Sequence, residues 1–158
     1  MNSYKYHPTT KEELREIIAE RINNEGNEVD LNDIDVSGIT DMSYLFEGLD
    51  FNGNISKWNV SKVTNMEGMF YGCRNFNQDI SCWSVSKVIL MYDMFYGCKK
   101  FDQDISKWDV SNVTDMGYMF SFCEKFNQDI STWNVLNVDE MEDIFDKCPI
   151  KDEYKPKF

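Results

Sequence analysis

Most of this chain of 158 residues repeats with a period of 25 residues. A Trp, a Phe and a Cys each occur four times at that spacing, so coincidence is excluded. A fixed period of about 20 to 50 residues is typical of repeat proteins, in which neighbouring units complete each other's hydrophobic core. The recurring residues are Trp58, Trp83, Trp108, Trp133, Phe51, Phe76, Phe101, Phe126, Cys73, Cys98, Cys123 and Cys148.

The period divides the chain into one domain with three parts. Four full units follow a degenerate unit, whose apolar residues match theirs at an offset of 24. A helix before the repeats and a short tail after them are expected to cover the two ends of the core. The predicted ranges are 1–28 for the N-terminal capping helix, 29–50 for the degenerate unit, 51–75, 76–100, 101–125 and 126–150 for the full units, and 151–158 for the C-terminal tail or cap.

Each unit has the pattern of a short strand followed by a short helix. Residues 58–60 alternate apolar, polar and apolar side chains, as in a strand with one buried face. Thr64 and Glu67 have the spacing of a capping box, and Gly72 lies where the helix would end. We therefore predict an α/β fold. It is a right-handed, leucine-rich-repeat-like solenoid with one short parallel strand and one short helix per coil, closed by an N-terminal helix.

The segment before the repeats has the signals of an amphipathic helix. Thr10 and Glu13 have capping-box spacing, and the helix is expected to end near residues 24–26. The helix serves as a lid over the first unit or, alternatively, as an amphipathic segment that binds a partner. Its apolar face consists of Leu14, Ile17, Ile18 and Ile22.

The repeat motif resembles that of a known family. The string FNQDIS-x-W-x-VS-x-V-T-x-M-x-x-MF-x-x-C, which recurs in phase over about residues 29–150, is similar to the BspA-like repeat of bacterial surface proteins, the DUF285 type found in mycoplasma and Listeria lipoproteins. The resemblance implies a module used in adhesion and protein recognition, and it implies no catalytic residues. Members of this family commonly carry a secretion or lipoprotein signal.

The formal net charge of −12 excludes several classes of partner. Nucleic acids and anionic membranes both require a basic surface, and no apolar run approaches the ~18 residues of a membrane span. The acidity lies at the two ends of the chain, because residues 51–125 hold eight basic and eight acidic side chains. Residues 1–6 lack the apolar stretch of a signal peptide, which predicts a cytoplasmic protein. A surface location requires that a signal has been removed.

Aromatic residues outside the repeat positions are the best candidates for a binding site. They fall between core positions of the predicted helices in the charge-balanced stretch, where exposed rings favour protein contacts. The alternative is that these rings only cover neighbouring helices. A second candidate is the strand face around Lys57, Cys82 and Lys107. The candidate partner-binding residues are Tyr71, Tyr92, Tyr96, Tyr118, Phe122, Cys82 and Leu90.

Metal and catalytic sites receive little support from the residues. The four repeating Cys are expected to form a stack of buried thiols, whereas Cys82 is expected to point outward. Asp79, Asp104 and Asp129 form a column that is expected to hold a backbone corner, with calcium binding as the weaker alternative. A single His and the absence of a nucleophile or phosphate-loop motif predict a protein that is not an enzyme and needs no cofactor.

These observations predict a non-enzymatic scaffold for protein–protein recognition, whose partner the residues do not identify. The alternatives are a cell-surface adhesive or display module of a bacterium, and a calcium-stabilised repeat protein. The chain is expected to be a monomer or a weak homo-oligomer.

Overall fold

The structure, a computed structural model, describes residues 4–158. It contains one α-helix, α1 (Lys11–Glu25), and one short 3₁₀ helix (Asp152–Tyr154). Within the described residues the only strand-like pairings are isolated parallel bridges, with no sheet. These bridges are Tyr6 with Ile34, Asp41 with Asn65, Asn65 with Leu90, Leu90 with Asp115, and Asp115 with Glu140.

Helix α1 lies where the sequence predicts it. Thr10 is its N-cap and accepts a hydrogen bond from the backbone N–H of Glu13, and Gly26 ends it with φ of 92°. The Glu13 carboxylate bonds the backbone N–H and hydroxyl of Thr9 rather than the N–H of Thr10. The start of the repeats is therefore preceded by a helix with fixed ends.

Helix α1 packs against the first repeat through both apolar and charged groups. Leu14 and Ile18 are fully buried in the hydrophobic core. Arg21 donates both to the carboxylate of Asp33, at 2.8 Å, and to the backbone carbonyl of Asp30. Helix α1 is therefore held against the first repeat by both kinds of contact.

The predicted α/β solenoid with a strand and a helix in every unit is wrong. Each unit is a series of turns, and two residues in each of these turn segments have positive φ. A right-handed helix cannot include a left-handed residue without breaking, so the apolar residues with helical spacing do not form one. The left-handed residues are Tyr44, Gly68, Asp93, Tyr118 and Asp143 at the first position, and Gly48, Gly72, Gly97, Phe122 and Lys147 at the second.

Backbone hydrogen bonds between units replace those of the predicted helix. Four alternate N–H groups of one unit donate to carbonyl groups of the next unit, at 2.7–3.0 Å. The intervening N–H groups close turns with the carbonyl three residues earlier. Because both sets of N–H groups are already bonded, they are not available for the hydrogen bonds of an α-helix, in which each N–H donates to the carbonyl four residues earlier. In the second unit the donors to the next unit are Met66, Gly68, Phe70 and Gly72, and their acceptors are Leu90, Tyr92, Met94 and Tyr96.

The predicted capping box at residues 64–67 has a different role. The side-chain oxygen of Asn65 accepts a hydrogen bond from the N–H of Glu67 at 2.8 Å, which closes a local turn. The hydroxyl of Thr64 donates to the carbonyl of Thr40 in the preceding unit. Cap-forming residues equally favour turns, and here they form turns.

The core consists of side-chain columns that run from unit to unit. Trp58, Trp83 and Trp108 stack with ring centroids 6.5 Å apart and nearly parallel planes. Each indole N–H donates to a backbone carbonyl of the preceding unit, as Trp83 does to Ile55 at 3.2 Å. The Trp columns therefore join neighbouring units through both packing and hydrogen bonds. The repeating Trp and Phe residues and the Met at repeat positions up to Met119 are buried, whereas Met141 at a repeat position of the last unit is exposed and Cys148 is half-buried.

Candidate functional site

The turn segments of successive units lie side by side and form one surface, which we call the turn face. It consists of residues 41–48, 65–72, 90–97, 115–122 and 140–147. The bonds between units described above connect these segments, so their side chains are held on a regular framework. All five aromatic candidates from the sequence lie on this face.

Three of those candidates form a continuous row of half-buried rings. Tyr71 and Tyr96 stack at 4.8 Å with an angle of 5° between their planes. Phe122 tilts against Tyr96 at 5.3 Å, and the ammonium group of Lys147 lies 4.4 Å from the Phe122 ring. The structure therefore brings Tyr71, Tyr96 and Phe122 together as one group, which we call the aromatic row.

The other two candidates form a separate pair. Tyr92 and Tyr118 meet edge to face at 5.8 Å, and neither makes an aromatic contact with the row. A hydrogen bond to Glu142 raises the pKa of Tyr118 to about 12. This pair is surrounded by carboxylates and differs in character from the aromatic row.

The carboxylates near this pair affect one another. Burial, followed by the negative charges of Glu67 and Asp115, raises the pKa of Asp93 from 3.8 to about 6. Asp93 is one of the left-handed residues, with φ of 56°. The charge balance of residues 51–125 therefore does not describe this surface, because acidic groups collect here while the basic groups of the stretch lie elsewhere.

The second candidate face also has a counterpart in the structure, although it is not a strand. Lys57, Cys82 and Lys107 occupy the same position in successive units and are all exposed. Leu90 is separate from them, on the turn face, where it forms the bridge between Asn65 and Asp115. Cys82 and Leu90 thus belong to different surfaces.

The aspartate column holds backbone corners, as the sequence predicts. The side chain of Asp79 accepts the N–H of Ser81 at 2.9 Å, and Asp104 and Asp129 do the same for Ser106 and Ser131. These serine hydrogen bonds lower the pKa of each carboxyl group. No group of three or more His, Cys, Asp or Glu within residues 4–158 is arranged to hold a metal ion.

Cys73, Cys98 and Cys123 are buried thiols and Cys82 is exposed, as the sequence predicts, whereas Cys148 is only half-buried. The thiol of Cys98 lies 3.0 Å from the carbonyl oxygen of Phe70 in the preceding unit. Burial raises the pKa of the Cys73 thiol to about 12 and that of Cys148, near the open end, to about 11. These thiols are components of the core and poor nucleophiles.

Two residues of interest were missed in the sequence. Tyr44 lies on the turn face, and its hydroxyl donates to Glu67 at 2.9 Å. It belongs to the same column as Tyr118, but the degenerate first unit obscures that match. Leu136 is 89% exposed and replaces the Ser found at its position in the three preceding units. That departure from the repeat was the available signal.

Helical segments of the described chain offer no membrane span, since none combines sufficient length with apolar character. What the geometry defines is a repeat protein, built from turn-rich units of about 25 residues that stack on a helical lid.

The chain belongs to the family described as "Mycoplasma protein of unknown function, DUF285", which matches residues 13–111 and 82–152. This match confirms the resemblance seen in the repeat motif. No curated protein and no solved structure matches the chain.

Proposed function

We propose that this chain is a non-enzymatic scaffold that recognises a protein partner through the aromatic row Tyr71, Tyr96 and Phe122. The observation that carries the proposal is that other units of the same fold have small residues at these positions. Ser121 occupies the repeat position of Tyr71 and Tyr96, and glycine occupies the position of Phe122 in the two preceding units. Large side chains at positions that small ones also fill favour a role other than core packing.

The backbone beneath the row supports this role. The N–H of Tyr71 donates to the carbonyl of Gly68, and the carbonyl of Tyr96 accepts from the N–H of Gly72. The main chain at both rings is therefore fixed. Rings held on a fixed backbone lose little conformational entropy on binding, and aromatic residues are enriched at protein interfaces. A shallow depression lined in part by Glu47, Tyr71 and Arg74 adjoins one end of the row and offers polar contacts of both signs.

The test uses substitutions that the repeats themselves already tolerate. In the first variant Tyr71→Ser and Tyr96→Ser are combined with Phe122→Gly, which installs the residues of the neighbouring units. In the matched control Lys57→Thr, Cys82→Thr and Lys107→Thr install the residue of Thr132 at the second candidate face.

Both variants and the parent chain are immobilised and exposed to lysate of the source organism, and the captured proteins are quantified by mass spectrometry. We expect a specific partner to be retained by the parent and by the control, and to be lost from the aromatic-row variant with its circular dichroism unchanged. Loss in the control alone assigns recognition to the second face. Equal capture by all three proteins contradicts the proposal.

A further inference from the structure

The last repeat ends the stack with a row of unused backbone donors. In each earlier unit the four alternate N–H groups of the turn segment donate to the next unit. In the last unit no backbone carbonyl of residues 4–158 accepts from them. The N–H groups at these four positions are thus free to bond a carbonyl from outside, and those of Glu142 and Ile144 also have no backbone acceptor among residues 4–158. The four donors are the N–H groups of Met141, Asp143, Phe145 and Lys147.

The C-terminal tail covers the other half of this end, and its Lys155 ammonium group lies 5.7 Å from the Phe145 ring, but no carbonyl of the tail accepts from the donor row. Lys151 donates to the side chain of Asn127, and the carbonyl of Tyr154 accepts from Ile130 at 3.0 Å. On the open half Met141 is 43% exposed, whereas Met116, its counterpart in the preceding unit, is 1% exposed. The end of the stack therefore combines free backbone donors with exposed apolar surface. In the inner units the following unit buries the equivalent apolar surface. We call residues 140–147 the open edge.

The charge of the open edge restricts what fits it. Glu140, Glu142, Asp143 and Asp146 are all exposed there, and residues 126–150 hold six acidic side chains and one basic. A segment that docks here must offer carbonyl acceptors and carry basic side chains. At the inner junctions the corresponding donors bond every second carbonyl of the next unit, so the docking segment must present alternate carbonyls along one side, as an extended strand does.

A second copy of the chain does not meet these requirements. The complementary carbonyl row lies in the first unit, beside which the Lys11 ammonium group bonds the side chains of Asp41 and Ser43. Residues 1–50 hold 12 acidic and four basic side chains, so that end repels the open edge. Helix α1 also packs over the core of the same unit.

We propose that the open edge binds an extended, basic segment of another protein, whose carbonyl groups accept from the four free N–H groups. The open edge adjoins the aromatic row where Lys147 contacts Phe122, but it requires neither the rings of the row nor their partner. Binding is sensitive to salt, because the basic side chains face exposed carboxylates.

The probe is a fluorescent peptide of four Lys-Val pairs with blocked ends, and binding to the full chain is measured by anisotropy. We expect saturable binding that is about tenfold weaker for Glu140→Lys combined with Asp146→Lys, since each exposed charge pair contributes up to about 1 kcal/mol. The control is Glu16→Lys combined with Glu20→Lys on the exposed side of α1, which changes the net charge equally. That control and the aromatic-row variant should bind like the parent.

Amide hydrogen exchange locates the peptide on the backbone. We expect it to protect the amides of Met141, Asp143, Phe145 and Lys147, and a Glu-Val peptide to protect none of them. Absence of binding, binding without protection of these amides, or equal binding to the Glu140→Lys, Asp146→Lys variant overturns the proposal. Self-association of the parent chain that protects the same amides also overturns it, since a second copy would then be the occupant.

Discussion

Phe122 has a left-handed backbone conformation, and the residue at the same position in each of the two preceding units is glycine. Its φ is 59°, against 71° at Gly72 and 69° at Gly97. A bulky residue with left-handed geometry costs about 1 kcal/mol. The ring therefore does not improve the local backbone, and its contacts with Tyr96 and Lys147 are what the residue adds.

Replacing Phe122 with glycine is expected to change the free energy of unfolding by less than about 1 kcal/mol. Relief of the left-handed strain offsets the loss of half-buried ring contacts. By contrast, Phe120→Ala, two residues away, should cost about 3–5 kcal/mol, because that side chain is fully buried. Urea denaturation measures both. A similar large loss at the two positions would mean that Phe122 belongs to the core.

The raised pKa of Asp93 makes a prediction about pH. In the folded chain this pKa is about 6 instead of 3.8, so the unfolded chain ionises first as pH rises. Asp93 therefore lowers stability progressively between pH 4 and 6, and the full loss is present above pH 6. Asp93→Asn, which also suits left-handed geometry, should raise the melting temperature at pH 7 and have little effect below pH 4.

The control for this prediction is Asp104→Asn, because the pKa of Asp104 is shifted the other way by its hydrogen bonds with Ser106. Its stabilising effect is present above its ordinary pKa and disappears as pH falls. We expect Asp104→Asn to lower the melting temperature slightly at pH 7. A change in melting temperature at pH 7 of the same sign in both variants would contradict the opposite pKa shifts of Asp93 and Asp104.

Among the secondary-structure elements, helix α1 was predicted correctly from the sequence, whereas the strand and helix predicted in each repeat unit were wrong. Helix α1 was predictable because its cap, apolar face and terminal glycine are local signals that agree. In the repeats, Thr64 and Glu67 have equally good helix signals, yet Asn65 uses its side chain to close a turn. What decides between helix and turns is the set of bonds to the neighbouring unit, and a single unit's sequence does not contain it.

The same limit applied to the candidate site. The sequence identified the rings of the aromatic row as half-exposed, because they fall outside the repeating core positions. It could not separate them from Tyr92 and Tyr118. The separation depends on Tyr118 and Phe122 having left-handed backbones, and no propensity favours that geometry for bulky residues.

Helix α1 makes its own prediction. Thr10→Ala removes the side-chain acceptor for the N–H of Glu13 and should cost about 1 kcal/mol of unfolding free energy. Thr132→Ala, at an exposed position in the last repeat, should cost less than about 0.5 kcal/mol. Thermal unfolding of the two variants measures the difference. Equal effects would indicate that the helix does not depend on its cap.

For the whole molecule, the charge-balanced middle of the chain corresponds to the inner units, and the acidic parts of the chain lie at its two ends. The helical lid covers the first unit, while the last unit keeps exposed groups such as Met141. Each inner unit is supported on both sides, whereas residues 126–150 are supported fully on one side only. Local stability should follow this asymmetry.

Hydrogen exchange is expected to reveal that gradient. Amides between units, such as those of Phe70 and Phe95, should be protected for much longer than those of Met141 and Phe145, which lack backbone acceptors within the described chain. Mass spectrometry of peptides from the exchanged protein provides the comparison. Uniform protection across all units would mean that the molecule opens only as a whole.

Most of the backbone hydrogen bonds that join the turn segments point the same way. At each of the four junctions, four peptide N–H groups are directed from one unit to the next. Peptide dipoles aligned in this manner add, as they do in a helix. The turn face therefore has a partial positive pole at the last unit. There the field attracts the carboxylates of Glu140, Glu142 and Asp146, which offsets part of their mutual repulsion.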